Sequence, residues 1–326
     1  MTDQSDLITV ARIEGQVVWY TGLLYDEVAQ PMCQAFERQY TGVRAICDRS
    51  WPVDAVGKVI DERARGEARC DVFDGVGSPA LANAEGLDQP CDLPEFAAIP
   101  PEHRDPSGRW TAQILYHATH AWNADIVPPE DAPRTLEALL DPRWKGRICW
   151  CRETLSGRPG FVALVLLHFG EQEGVAYLHR LARQEIAPLG GLGRDTMRAL
   201  GRGEYAVALQ IFAHHAMIER EGGGNIGWPV KSPVLTFPNP ISVCRTASHP
   251  AAARLFVNFV LSAEGQEIMR QGRHIPSRLD VPALDRDLAK IHGYFLTPYA
   301  ISRCLPKWER IGREIFPEHL MRQRIK

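Results

Sequence analysis

Residues 16–21 read QVVWYT, and this apolar run is typical of a buried strand. Apolar residues then recur at helical spacing over residues 26–40, and the sequence VRAIC at 43–47 predicts a second strand. A short amphipathic helix over residues 54–66 leads to a third strand, CDVF, at 70–73. This alternation predicts an α/β fold in which helices cover a parallel sheet.

The carboxyl ends of the predicted strands mark two places where a ligand can bind. Ligands of open parallel sheets gather at the edge that these ends form. The first strand ends at Thr21 and Gly22, and the third runs into a turn that holds Gly77 and Ser78. These four residues are therefore candidate ligand-binding residues.

The rest of the chain continues the mixture of strands and helices after a segment rich in proline and charge at residues 87–109. Strands are predicted at 110–120, 147–150 and 206–212, and helices at 161–169, 173–184, 196–202, 250–261 and 263–271. Ser262 stands where it can cap the last of these helices, and Glu264 in its first turn complements the helix dipole.

Length and composition restrict the class of protein. The chain has 326 residues, which favours two lobes over a single core. Its 45% hydrophobic and 24% charged residues are typical of a globular protein. A net charge of -3 gives no broad basic field, so we expect no nucleic acid partner. No apolar run approaches the ~18 residues that span a bilayer, so no membrane insertion is expected.

The N-terminus and the cysteines bear on the compartment of the protein. Residues 1–15 lack the basic start, apolar stretch and cleavage site of a signal peptide, which indicates a mature form or an intracellular protein. Eight cysteines would permit disulfides in an exported protein. The sequence contains no CxxC motif, so the cysteine spacing does not support a zinc site. We expect most of them to be buried thiols that pack as small apolar side chains.

Several segments occur in an order that resembles a known protein family. They are EGQVVWYT at residues 14–21, Asn123, VPPEDAP at 127–133, LLDPRWKGRI at 139–148, PNPISV at 238–243 and FVNFVLSAEGQ at 256–266. Over residues 8–278 the chain resembles the iron(III)-type periplasmic solute-binding proteins, which have the type II periplasmic-binding-protein fold.

The resemblance implies two α/β lobes joined by crossing strands, a ligand in the cleft between them, and no catalysis. It implies an N-terminal lobe of residues 1–113 and 234–280 and a C-terminal lobe of residues 114–233. A helical tail, residues 281–326, is expected to pack on the C-terminal lobe. The protein is expected to be a periplasmic monomer without a resident cofactor, and its partners would be an ABC permease and an ATPase.

The segment TLSGR at residues 154–158 is the main candidate for an anion site, because it precedes an apolar helix. Backbone N–H groups at the positive end of a helix dipole favour an anion, and Arg158 would add bidentate donors. The Ser-Gly pair with which family members contact an anion matches Ser156 and Gly157. The alternative is that Ser156 only caps the helix and Arg158 lies in solvent.

Six further residues are candidates, and all of them except Trp51 lie in the second lobe. Arg194 lies in a Gly-rich loop that reaches the ligand in the family, although alone it would be interpreted as a solvated side chain. His214 and His215 match two adjacent tyrosines of ferric-binding members, and the alternative is one packed and one solvated ring. Gln210, on the preceding predicted strand, is a weaker candidate, as are Trp51 and Trp228.

Histidines in place of tyrosines change the ligand that we expect. Fe(III) suits anionic oxygen donors, whereas imidazole is softer and suits Zn, Cu, Ni or Fe(II). Together with Arg158, Arg194 and Lys231, this favours a small anionic solute, namely a phosphonate, an organophosphate or a carboxylate. The alternative is ferric iron or another transition metal as cargo, bound by His214 and His215 with a synergistic anion.

An enzyme and a sensor are the competing functions. The strand ICWC at residues 148–151 would suit a thiol nucleophile, but the sequence contains neither HExxH nor GxSxG. A regulator would need a DNA-binding segment, for which we see no room before the first strand. We therefore expect a non-catalytic protein that closes on its ligand by a hinge.

Overall fold

The structure is a computed structural model that describes residues 4–50, 52–152, 155, 157–191, 193–229, 232–285, 288, 291 and 293–317. The strands are β1 (Gln16–Thr21), β2 (Arg44–Arg49), β3 (Val72–Asp74), β4 (Thr111–Asn123), β5 (Ile148–Cys151), β6 (Ala187–Leu189), β7 (Val207–Phe212), β8 (Ile226–Gly227), β9 (Leu235–Val243), β10 (Ile275–Pro276) and β11 (Tyr294–Phe295). The helices are α1 (Gln4–Glu14), α2 (Gln30–Gln39), α3 (Pro52–Ala64), α4 (Ser78–Glu85), α5 (Arg158–Phe169), α6 (Glu171–Leu181), α7 (Gly193–Gly201), α8 (Ala213–Glu221), α9 (Pro250–Leu261), α10 (Ala263–Gln271) and α11 (Pro298–Ile315).

The chain divides into two compact units. Unit 1 comprises Met1–Leu115, Phe237–Arg286 and Thr297–Ser302, and unit 2 comprises Tyr116–Thr236, Asp287–Leu296 and Arg303–Lys326. The sequence predicts lobe boundaries at residues 113 and 233 and places the whole tail on the second lobe. The structure differs at the tail, because Tyr299 contacts Trp110 and its segment therefore belongs to unit 1.

Unit 1 is built on three parallel strands. β1 pairs with β2 on one side and with β3 on the other, and both pairings are parallel. β9 continues this sheet antiparallel to β3, and β10 is antiparallel to β4. The parallel sheet predicted from the alternation in residues 16–73 is therefore confirmed.

The core of unit 1 is aromatic. Phe256 on α9 packs against Trp19 of β1 at a centroid distance of 5.2 Å and against Phe36 of α2 at 5.1 Å. α1, which the sequence analysis missed, presents Glu14 to the start of α9. The Glu14 carboxylate accepts hydrogen bonds from the N–H groups of Ala251 (3.1 Å) and Ala252 (2.7 Å), which a helix cannot satisfy by itself at its first turn.

Unit 2 combines parallel and antiparallel pairing. β5 is parallel to β6 and to β7, whereas the second half of β4 is antiparallel to β7 and to β8. The carboxyl ends of β5, β6 and β7 therefore lie at one edge of this sheet. Trp150 on β5 packs against Phe161 of α5 and against Phe316, which follows α11.

The sequence predicts most long elements and misses several short ones. α5, α6, α7, α9, α10 and β7 lie within a few residues of their predicted positions. Ser262 caps α10 as predicted, because its hydroxyl accepts a hydrogen bond from the Gly265 N–H at 3.2 Å. α8 and β6 are not predicted. Across the described ranges, no helix is both long and apolar enough to cross a membrane.

All eight cysteines lie in described segments, and none of them forms a disulfide there. Six are buried, and the other two, Cys47 and Cys304, are half-buried. The prediction that most of them are buried thiols is confirmed.

Candidate functional site

Gln210 occupies an irregular position in β7 of unit 2. Ala121 of β4 pairs with Ala208, whereas Thr119 pairs with Ile211, so β7 contains one extra residue between these pairs. Such a bulge bends a strand and redirects a side chain. Gln210 lies in this bulge with a φ of 55°, a left-handed conformation that side chains other than glycine seldom adopt.

The side chain of Gln210 is completely buried, at 0% exposure. Neither its amide nitrogen nor its amide oxygen has a hydrogen-bond partner among the described residues. An unpaired buried amide costs about 1–3 kcal/mol, and the left-handed backbone adds strain. Because both costs fall on one residue, Gln210 remains a candidate ligand-binding residue.

The Gln210 amide faces the first turn of α5. A β-carbon on Gly160 would lie only 3.1 Å from Gln210 Nε2 and 1.9 Å from the carbonyl oxygen of Leu155. Glycine at this position therefore allows the amide to approach the helix start, where backbone N–H groups have no intrahelical acceptor. The amide and the positive end of the α5 dipole lie together, which is the combination that an anion favours.

Two loops meet at the carboxyl end of β5. A β-carbon on Gly157 would lie 1.9 Å from the carbonyl oxygen of Cys151, so the loop before α5 packs directly on the strand end. The Cys151 thiol donates a hydrogen bond to the carbonyl oxygen of Gly191, at the loop before α7. Gly157, Gly191 and Gln210 thus lie at the carboxyl edge of the β5–β7 pair, where ligands of such sheets bind.

Arg158 is buried under α11. Its Nη1 donates a hydrogen bond to the carbonyl oxygen of Phe316 at 3.4 Å, and Gly312 lies against its aliphatic stem. Only 5% of Arg158 is exposed, so the alternative in which this side chain lies in solvent is wrong. The structure gives Arg158 a role in fixing the end of α11 on α5.

His214 and His215 lie in the first turn of α8, directly after β7. Their ring centroids are 4.1 Å apart. His214 also packs 5.5 Å from Tyr116 and 5.5 Å from Phe212, and these two rings stack on each other at 4.6 Å. The four rings form an aromatic cluster, which the sequence does not predict because Tyr116 comes from β4.

Two of the remaining sequence-predicted residues of this unit, Arg194 and Trp228, lie in described segments. Arg194 is half-buried in the first turn of α7, beside the Gly191 loop. Trp228 is buried at 8% exposure. Ser156 and Lys231, together with Trp51 of the first lobe, lie outside the described segments.

In unit 1, the predicted strand-end residues surround Asp74, which the sequence analysis missed. The Gly22 N–H donates to Asp74 Oδ1 at 3.3 Å. The Thr21 hydroxyl accepts from the Leu23 N–H, and the Ser78 hydroxyl donates to the carbonyl oxygen of Gly75. Ser78 begins α4, and Gly77 is its N-cap residue. An aspartate at the end of a buried strand, before a glycine, was the available signal.

Burial raises the pKa of Asp74 to about 6. The nearby Thr21 and Gln113 side chains and the hydrogen bond from the Gly22 N–H stabilise the carboxylate and offset part of this effect. The carboxyl group therefore ties the end of β3 to the end of β1 at the candidate ligand edge of unit 1.

Two further features of the described residues concern ligand binding. A surface pocket of about 680 Å³ in unit 1 is lined by residues such as Cys91, Arg104 and Arg254, and includes none of the predicted site residues. In the part of the chain that the structure describes, no group of three His, Cys, Asp or Glu side chains is placed to hold a metal ion.

Comparison with known proteins identifies the family. Residues 71–294 match the family described as bacterial extracellular solute-binding protein. The chain belongs to this family. The resemblance to the iron(III)-type solute-binding proteins is thereby confirmed, and the chain is a solute-binding protein of an ABC importer and not an enzyme.

Two curated relatives have similar sequences. The Fe(3+)-binding periplasmic protein of Serratia marcescens is 23% identical over 241 residues, which cover 71% of this chain and 69% of that protein. Iron uptake protein A1 of Synechocystis sp. is 24% identical over 212 residues, which cover 59% of this chain and 57% of that protein.

Solved structures establish the fold. Iron-bound HitA from Pseudomonas aeruginosa matches with a TM-score of 0.75 and 23% identity, over 92% of this chain and 99% of that one. The apo ferric ion-binding protein A of Pasteurella haemolytica matches with a TM-score of 0.75 and 16% identity, over 92% and 98%. The predicted type II periplasmic-binding-protein fold is confirmed.

Proposed function

We propose that this solute-binding protein works in the periplasm and carries ferric iron as a complex with an oxygen-rich anion such as citrate. The sequence favours a metal-free phosphonate, organophosphate or carboxylate and leaves a metal with a synergistic anion as the alternative. The names of the relatives, an Fe(3+)-binding protein and an iron uptake protein, support that alternative better. A Trichodesmium protein of the same fold is described in complex with iron and citrate ligands.

The observation that carries the proposal is the buried amide of Gln210 beside the start of α5. Its Nε2 and the N–H groups of the first turn would donate hydrogen bonds to the carboxylate oxygens of the anion. Gly160 lets the amide approach the helix start, and Gly157 lets the preceding loop pack on Cys151, because a β-carbon at either residue would collide with backbone atoms. Ser156 and Arg194 would belong to the same anion site.

His214 and His215 would bind the iron of the complex. Imidazole is a softer ligand than the tyrosine oxygens of ferric-binding relatives, so the chain supplies fewer hard donors at this position. A multidentate carboxylate would provide those donors and would satisfy the preference of Fe(III) for oxygen. Thr21, Gly22, Gly77 and Ser78 would form the ligand edge of unit 1. The protein would then deliver the complex to a membrane permease and its ATPase.

The test is titration of metal-free protein with Fe(III)–citrate, citrate alone and methylphosphonate, followed by calorimetry and native mass spectrometry. We expect one Fe(III)–citrate complex per chain, and at least about tenfold weaker binding of citrate alone because the metal contacts are missing. Equal affinity for citrate and Fe(III)–citrate, or tight binding of methylphosphonate, would establish a metal-free anion as the ligand. Binding of none of the three would contradict the proposal.

Substitution of Gln210 tests the site itself. Gln210→Ala should weaken Fe(III)–citrate binding about 10-fold to 100-fold, because a buried amide that bonds a charged ligand contributes about 1.5–3 kcal/mol. Gln184 is a matched control, since it is a buried glutamine of unit 2 whose amide bonds the carbonyl oxygen of Asp141. Gln184→Ala should leave the affinity unchanged.

A further inference from the structure

Two cysteines meet where β3 and β9 pair in unit 1. Cys70 lies just before β3, and Cys244 directly follows β9. The strands are antiparallel, with Val72 opposite Val243. The pairing continues past the strand ends, because the Cys244 N–H donates to the carbonyl oxygen of Asp71 at 2.8 Å. The backbone therefore places Cys244 opposite Asp71, the neighbour of Cys70, although 174 positions separate the two cysteines in sequence (244 − 70).

Both thiols point into the same part of the core. Cys70 is 1% exposed and Cys244 0% exposed, and both pack in one apolar cluster with Tyr20, Phe73 and Leu87. The Cys70 thiol lies 3.4 Å from the carbonyl oxygen of Val72. Side chains in such a cluster have little room to turn away from each other.

The two thiols differ in acidity because they interact. The Cys70 side chain is the main reason that the pKa of Cys244 is lowered to about 7, and Thr246 adds to this effect. Burial alone would have the opposite effect, as it raises the pKa of Cys33 to about 12 and that of Cys91 to about 11. Cys244 is therefore the thiol of the pair that forms a thiolate, the nucleophile of disulfide exchange.

We propose that Cys70 and Cys244 form a disulfide that joins the start of β3 to the end of β9. The oxidant is a disulfide of the extracytoplasmic compartment, where proteins of this family act and where disulfides persist. The Cys244 thiolate attacks the oxidant and releases one thiolate from it. The Cys70 thiolate, after loss of its proton, attacks the Cys244 sulfur and releases the second. Two protein thiols are oxidised and one disulfide is reduced to two thiols.

The position of the cross-link determines its effect. Both cysteines are buried in the folded chain, so exchange takes place late in folding, when β3 and β9 have paired and the core is still open to the oxidant. The bond would enclose the whole segment Tyr116–Thr236, which leaves unit 1 through β4 and returns through β9. It would lie at the amino end of β3, away from the Asp74–Gly75 end that forms the candidate ligand edge. It would therefore stabilise unit 1 and leave the ligand affinity unchanged, whatever the ligand is.

The experiment is refolding of the full chain in a mixture of oxidised and reduced glutathione, followed by alkylation in denaturant and mass spectrometry. We expect six of the eight cysteines to be alkylated, a mass about 2 Da below that of the reduced chain, and a peptide that links Cys70 to Cys244. The oxidised chain should unfold at a higher urea concentration than the reduced chain.

Two variants provide the comparison. Cys244→Ser should abolish the cross-linked peptide, whereas Cys33→Ser, which removes another buried thiol of unit 1, should retain it. Eight reactive thiols after refolding of the wild-type chain, or a cross-link between another pair, would overturn the proposal. The mass measurement needs no variant, so a folding defect in Cys244→Ser leaves it interpretable.

Discussion

Arg158, the first residue of α5, donates a hydrogen bond to the carbonyl oxygen of Phe316, the residue that follows α11. The bond joins two positions that are 158 residues apart in the sequence. Because the guanidinium is buried, its charge is stabilised by this carbonyl dipole in place of water. The arginine that the sequence favours as an anion ligand thus anchors the end of α11 on α5.

Arg158→Ala should therefore destabilise unit 2. Loss of a buried charged donor leaves the Phe316 carbonyl oxygen unpaired and a gap beside Gly312, and we expect the free energy of unfolding to fall by about 2–3 kcal/mol. Urea unfolding followed by tryptophan fluorescence would measure it. Arg198→Ala removes an exposed arginine of α7 and is the control, with an expected change below about 0.5 kcal/mol. Equal stabilities of the two variants would contradict an anchoring role.

Gln210→Gly should raise the stability of the protein and lower its affinity for the ligand. Glycine adopts the left-handed conformation without strain, and removal of the amide also removes its unsatisfied polar atoms. We expect the free energy of unfolding to rise by about 1–2 kcal/mol, while affinity for Fe(III)–citrate falls at least about tenfold. Chemical denaturation and calorimetry on the same preparation would test both effects. A loss of stability would indicate that the amide serves packing and not ligand binding.

Asp74→Asn should change how stability depends on pH. The carboxyl group has a native pKa of about 6 and an ordinary value of 3.8, so the native protein holds the proton more tightly than the unfolded chain. The contribution of Asp74 to stability is thus greatest below pH 4 and is lost as the pH rises through 6. The variant should gain about 3 kcal/mol relative to the wild type between pH 4 and 7.

Urea unfolding at several pH values would measure the Asp74 effect. Asp61→Asn, which changes an exposed carboxyl group on α3, is the control. A stability difference between Asp74→Asn and the wild type that stays constant from pH 4 to 7 would show that the carboxyl group titrates normally.

Two buried histidines should affect the pH dependence of stability in the opposite direction to Asp74. Burial lowers the pKa values of His120 and His274 to about 4, below their ordinary value of 6.5. The unfolded chain therefore binds protons between pH 6.5 and 4 that the native protein excludes, and stability falls as the pH decreases through this range. Each histidine should account for about 3 kcal/mol of that loss at most.

Single substitutions would assign the acid sensitivity to each unit. His120→Phe in unit 2 and His274→Phe in unit 1 should each flatten the decline of unfolding free energy from pH 6.5 to 4.5. His179, exposed on α6, provides the control substitution His179→Phe. An unaltered pH profile in both core variants would mean that neither ring is kept neutral by burial.

Short-range patterns explain what could be predicted. The apolar run of β1 and the helical spacing of α9 depend on contacts between residues two to four positions apart. The same holds for the Ser262 cap, whose partner is three residues away. Together with the order of motifs, these patterns were enough for the fold class and the family.

Other features depend on contacts across long sequence separations. The sequence of α1 has weak apolar periodicity, and its last residue, Glu14, finds its partners at Ala251 and Ala252. The bulge at Gln210 exists because β7 pairs out of register with β4, and no residue type near position 210 indicates it. The candidate site residues do not distinguish an anion from a metal complex as the ligand, since histidine is compatible with both, and the proposed metal complex rests on the relatives.

The sequence by itself determined that the chain is a two-unit α/β protein of the solute-binding family, because strand and helix periodicity and motif order are local properties. Only the tertiary structure decided that Arg158 is bonded to Phe316 and that Asp74 is buried beside Gly22. It also decided that the Gln210 amide faces the start of α5 without a hydrogen-bond partner among the described residues. Each of these depends on which distant segments pack together, and burial then sets the charge, strain and hydrogen bonding of the side chain.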